Sequence, residues 1–137
     1  MARGQAVRQV DTPASTVWRV VADHVGMAAW GPGVSVAMER DGEPTANGVG
    51  AIRAIRGPAV RIREEITGFE PNRRLAYRAL SGVPLPGYAG TVELAEHAGR
   101  TTIRWSLTTT APGVGPVLNL IAHALLTALV RAVRQAD

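Results

Sequence analysis

The chain has 137 residues, 46% of them hydrophobic and 19% charged, with a net charge of +4. That length suits one domain, 1–137, large enough to bury a core, and the composition is globular, not disordered. The lack of cysteine excludes disulfide scaffolds, Cys-ligated zinc and thiol nucleophiles; since all 15 basic residues are arginine, lysine Schiff bases and a P-loop lysine are excluded too.

Residues 5–10 alternate weakly and predict a first strand. Asp11 or Thr12 then serves as helix N-cap with Pro13 at the first helical position, and Val17, Trp18, Val20, Val21 and Ala22 form a helical stripe through 13–23. Gly26 breaks that helix, and a short second one, Met27–Trp30, closes at Gly31-Pro32-Gly33. The apolar period then changes to two, predicting strands at 34–40, 49–56, 59–68, 73–80, 88–97 and 101–109. Their short connections imply an antiparallel meander. Alternate turns of a meander share an end, which groups the Gly/Pro-rich segments at Gly57-Pro58, Ser81–Gly87 and Ala111–Pro116 into a mouth. A long helix from Pro116 to about Gln135 ends the chain. Its apolar run, Val117 to Val130, falls short of the about 20 residues a bilayer requires, so a buried helix is expected and no membrane span. No secretory signal is read at the N-terminus, which points to the cytoplasm.

Alternation also assigns faces. Val60, Ile62, Glu64 and Ile66 share the inner face, as do Leu75, Tyr77 and Ala79. Ile103, Trp105 and Leu107 face inward opposite Leu94, Val92 and Gly90. Gly57-Pro58 places Arg53 opposite Glu64, and the Glu70-Pro71-Asn72 turn places Glu64 opposite Tyr77, so the three form one inward row. That register brings Arg63 and Arg78 together on the outer face. A buried carboxylate is costly unless paired, and an inward arginine pairs it.

Several pieces in order carry a family resemblance: Pro13…Val17-Trp18…Asp23, Trp30, Gly48-Val49-Gly50…Arg53, Arg63-Glu64…Phe69-Glu70-Pro71…Arg74-Leu75-Ala76-Tyr77, Pro84…Tyr88-Ala89-Gly90 and Thr101-Thr102-Ile103-Arg104-Trp105. Over nearly the whole chain they resemble the START/Bet v1-like (SRPBCC) superfamily, in its polyketide cyclase/dehydrase and lipid-transport branch. The resemblance implies an α+β helix-grip fold: a curved seven-stranded antiparallel sheet around the C-terminal helix, with two short helices between the first two strands and an apolar cavity within. It implies an apolar small-molecule ligand (a lipid or polyketide-like compound) and, as cavity-lining candidates, Trp30, Arg53, Glu64, Tyr77, Tyr88, Trp105 and His123.

Two roles compete for these residues. In a binding protein, Arg53 and Tyr77 hydrogen-bond the polar group of a mostly apolar ligand. In a cyclase- or dehydrase-type enzyme, His123, Glu64 or Tyr77 carries acid/base chemistry in the same cavity. A protein-interaction module is a weaker third reading, and a homodimer is left open. His24 and His97 are expected to face solvent, and the three separated histidines offer no metal site. Gly48-Val49-Gly50 enters a strand and lacks the third glycine of a dinucleotide loop, so no cofactor is expected. Arginines 61, 63, 74, 78 and 104 read as a solvated outer face, not a nucleic-acid patch.

Overall fold

The computed structural model describes residues 1–31 and 33–136; Pro32, placed above in the stop of the second helix, lies outside them. Seven strands form one antiparallel sheet: β1 (Ala2–Val10), β2 (Ser35–Arg40), β3 (Ile52–Gly57), β4 (Val60–Glu70), β5 (Arg74–Ser81), β6 (Ala89–His97) and β7 (Arg100–Thr109). Their spatial order is β1-β7-β6-β5-β4-β3-β2, a meander in which the first strand closes onto the last. Two short helices, α1 (Ala14–Val21) and α2 (Met27–Trp30), fill the connection from β1 to β2, and α3 (Gly115–Ala136) lies across the sheet. This is the helix-grip arrangement.

The core is the contact between the inner sheet face and α3. Leu118, Ala122, Leu126, Leu129, Val130 and Val133 form the buried stripe of the helix. They meet Ile66, Leu75, Val92, Ile103, Trp105 and Leu107 from the sheet. At 22 residues, α3 is longer than the Val117–Val130 run, which Asn119, His123 and Thr127 interrupt, and is by length and composition long and apolar enough to cross a bilayer, which corrects the expectation that it is too short. Its buried stripe instead makes it the core helix of this fold. Helix and sheet approach closely at Gly4, where a Cβ would lie 2.5 Å from the backbone of Leu118 and Asn119.

The β6–β7 register is as expected, with Gly90 opposite Leu107, Val92 opposite Trp105 and Leu94 opposite Ile103. Arg53 faces Glu64. The β4–β5 register is not as expected. The turn lies later in the chain than expected, around Pro71-Asn72-Arg73 with Glu70 opposite Arg74, and an irregularity between Ile66 and Gly68 takes back one residue, so that Ile66 faces Tyr77 and Glu64 faces Ala79. β4 runs on to Glu70 and β5 starts only at Arg74, so the centre of the turn is displaced from the one that alternation suggests. The shift also removes the expected meeting of Arg63 with Arg78: Arg78 bonds Glu65 at 2.7 Å, and Arg63 bonds Glu39 at 3.0 Å.

The start of α1 differs too. Pro13 occupies the cap position with no side-chain cap of its own. The Ala14 N–H donates instead to Glu96 Oε1 of β6 at 2.7 Å, while Asp11 binds Arg100 at 2.6 Å. A carboxylate distant in sequence thus satisfies one orphan donor of the helix start. One of the loops expected to form a mouth, Ser81–Gly87, is tied to the end of β7, since Pro86 O accepts from Thr109 Oγ1 at 2.6 Å and from Thr110 Oγ1 at 3.0 Å.

Candidate functional site

The site is built around one buried ion pair. Arg53 of β3 and Glu64 of β4 sit opposite each other on the inner face, and the side chains are 3% and 7% exposed. Nε and Nη2 of Arg53 both donate to Glu64 Oε1, at 2.9 and 2.7 Å. Neither charge could sit here alone, because each would keep the desolvation penalty without the compensating attraction.

A third partner was not legible in the sequence. His24, expected in solvent, is completely buried in the turn after α1. Its Nδ1 lies 3.1 Å from Arg53 Nη1 and its Nε2 lies 2.9 Å from the Asn47 carbonyl. A guanidinium can only donate, so Nδ1 accepts and the ring proton resides on Nε2, from which it is donated to Asn47 O. Burial, then the neighbouring Arg53 charge, pushes the His24 pKa down to about 4, so the ring is neutral near pH 7. Asn47 Nδ2 donates in turn to Ala22 O at 2.9 Å. The chain Arg53–His24–Asn47–Ala22 therefore ties the sheet to the end of α1 and to the β2–β3 loop. The local sequence Asp23-His24-Val25 carries no sign of this, since helix-end histidines are commonly solvated.

On the other side, the Arg53 guanidinium carbon lies 5.0 Å from the centre of the Tyr77 ring, within cation–π range. Tyr77 thus joins Arg53 and Glu64 although it faces Ile66 and not Glu64 across the strands, because a long aromatic side chain spans a diagonal neighbour. Its ring lies over Gly90, where a Cβ would fall onto the Tyr77 hydroxyl and ring carbons. Trp105 Nε1 donates to the Tyr77 hydroxyl at 3.1 Å. Tyr88 hydrogen-bonds Tyr77 as well, and burial pushes its pKa up to about 12; burial drives that of Tyr77 up further. Both phenols stay protonated at ordinary pH.

A small void of about 10 Å³ borders this cluster, lined by Arg53, Tyr77, Trp105, Trp30, Met27 and apolar residues including Leu129. It has room for about one water. The broad apolar cavity expected between sheet and helix is therefore filled by side chains in this conformation. Trp30, at the end of the single-turn helix α2, also borders an open groove along α3 of about 390 Å³ with His123, Ala124, Thr127, Ala128 and Arg131. Its Nε1 is sealed from solvent and has no hydrogen-bond partner among the described residues.

Of the seven candidates, Trp30, Arg53, Tyr77 and Trp105 line the void, and Glu64 and Tyr88 stand behind it as partners of Arg53 and Tyr77. His123 does not join them. It is exposed on the far side of α3, since the helical stripe that packs on the sheet runs through Ala122 and Leu126. Among the described residues no three histidine or acidic side chains cluster to hold a metal ion.

The backbone has well-matched relatives of known structure. A START superfamily protein from Mycobacterium smegmatis aligns with a TM-score of 0.80 and 13% identity, over 100% of both chains. XoxI from Bacillus cereus aligns with a TM-score of 0.74 and 21% identity, over 99% of this chain and 95% of its own. DynU16, from the dynemicin biosynthetic locus, gives a TM-score of 0.76 and 19% identity over 100% of this chain and 49% of its own. At these identities the likeness is one of fold. No curated protein matches the sequence. The sequence model of the family described as polyketide cyclase / dehydrase and lipid transport matches residues 1–137, so the chain belongs to that family.

Proposed function

We propose that this protein binds a small, mostly apolar molecule between the sheet and α3, with Arg53 at the polar end of the site. The observation that carries this reading is the placement of a completely enclosed charged cluster against an apolar-walled void. Of the five N–H groups of Arg53, three are directed at Glu64 and His24. A purely structural pair needs no such void beside it, whereas an apolar pocket with a few convergent polar groups is the usual form of a small-molecule site.

The ligand needs more room than one water occupies, and α2 is the wall that can supply it. It is one turn long, buries no residue and begins at Gly26 without a side-chain cap. Outward movement of Met27 and Trp30 joins the void to the open groove along α3. A short helix held by so few buried contacts belongs to the low-stability end of the structure, from which binding elements are drawn.

The test is native mass spectrometry of freshly purified protein, followed by thermal unfolding with 2-ethylnaphthalene. An apolar adduct, or a rise in Tm that grows with the concentration of the hydrocarbon, supports the reading. A protein without adduct whose Tm ignores every apolar probe refutes it. Acid/base turnover in the same site has less in its favour, because His123 is outside and His24 has both ring nitrogens engaged.

A further inference from the structure

The buried groups restrict the chemistry of the ligand further, on the assumption that the void is its polar end. We propose that the site selects a charge-neutral carbonyl oxygen, such as that of a ketone or ester, received by the Trp30 indole N–H and the spare Arg53 N–H groups, and that Glu64 excludes carboxylates.

Three observations support this. First, Trp30 Nε1 is the one buried side-chain nitrogen or oxygen among the described residues that has no partner. A sealed, unpaired N–H keeps its desolvation cost, a deficit that an incoming acceptor removes. Indole nitrogen is a donor only, so the complement must be an acceptor. Second, the void bordered by Trp30 and Arg53 has a volume of about 10 Å³, suited to a single oxygen-sized group, while the groove on the other side of Trp30 offers about 390 Å³ beside Ala124, Thr127 and Ala128. A ligand with its oxygen in the void and its body directed past Trp30 uses both. Third, the positive charge of Arg53 is already matched by Glu64 at 2.7 Å. A ligand carboxylate would be a second anion at a pair that is already neutral, and burying an uncompensated charge is far costlier than burying a hydrogen-bonded neutral oxygen. The phenols stay protonated and carry no positive charge to offset it, and His24 is not a cation near neutral pH.

The experiment compares three near-isosteric probes by equilibrium dialysis at pH 7.5: 2-acetylnaphthalene, 2-ethylnaphthalene and 2-naphthoate. The ketone should bind about fivefold tighter than the hydrocarbon, as one net hydrogen bond provides, and the carboxylate should bind weakest. Trp30→Phe should remove the advantage of the ketone, read as the ratio of ketone to hydrocarbon affinity falling to about one. Glu64→Gln, which leaves Arg53 without its counter-charge, should reverse the order of ketone and carboxylate; a merely structural role for Glu64 would weaken all three alike. The proposal is overturned if 2-naphthoate binds best to the unaltered protein, or if Trp30→Phe weakens ketone and hydrocarbon equally. Binding of the hydrocarbon with no preference for the ketone overturns this proposal alone. Binding of none of the three overturns the apolar-ligand reading and this one with it.

Discussion

His24 and Arg53 hold each other inside the protein, with Arg53 Nη1 donating to His24 Nδ1 across 3.1 Å. The bond requires an unprotonated ring. It therefore makes the packing of α1 against the sheet sensitive to acid, through a residue 29 positions away from its partner.

The folded-state pKa of His24, about 4, lies below the ordinary histidine value of 6.5. Between those values the unfolded chain binds the proton and the folded one does not, so stability rises with pH across that window. It should be level above about pH 6.5 and fall as the pH drops to 4, by up to about 3 kcal/mol from this residue. Urea denaturation at pH 7.5 and pH 5 measures the difference. His24→Gln should flatten it, and an unchanged slope in that variant would assign the effect to other groups.

The Arg53–Glu64 pair predicts strong non-additivity. Arg53→Met alone should cost about 3–5 kcal/mol, because it strands Glu64 as a buried charge. Arg53→Met combined with Glu64→Leu should recover most of that loss, since an apolar pair of similar volume needs no counter-charge. A double-mutant cycle in denaturant reads the coupling. Simple additivity of the two losses would mean that the charges do not depend on each other.

Gly90 decides where Tyr77 lies. A Cβ at that position would collide with the Tyr77 ring and hydroxyl, so Gly90→Ala should displace the ring from Arg53 and break its bond with Trp105 Nε1. Overpacking of this kind costs about 1–3 kcal/mol. Tryptophan fluorescence and near-ultraviolet circular dichroism should change together with the stability, and an unaltered spectrum would show that the ring tolerates the methyl group.

A stabilising change is available in the β6–β7 hairpin. Ala98 holds a left-handed φ of 52° and is followed by Gly99 at 79°. Two-residue hairpins with both central φ values positive favour Asn-Gly. Ala98→Asn should raise stability by about 0.5–1 kcal/mol, since Asn tolerates this conformation better than alanine. The midpoint of urea unfolding reports it, and a fall would show that this turn has no left-handed cost to relieve.

Much of the fold could be read in advance because period-two alternation, Gly/Pro turns and a long apolar helix are local signals. Arg53 opposite Glu64 followed from counting through a tight turn between two regular strands. The same counting failed from Glu64 to Tyr77, because β4 extends to Glu70 and the turn runs through Pro71-Asn72-Arg73, a displacement that alternation alone does not mark. Tyr77 reached Arg53 all the same, because a ring extends farther than the register error.

The amino-acid sequence by itself determined the order of elements, the inner and outer faces, and the presence of one inward arginine among fifteen. Only the tertiary structure decided what surrounds that arginine. It buried His24, turned His123 outward, capped α1 with Glu96 and left the Trp30 N–H without a partner. Each of these depends on how α1, α2 and α3 seat against the sheet. Such contacts join residues far apart in the chain, and local periodicity carries no information about them.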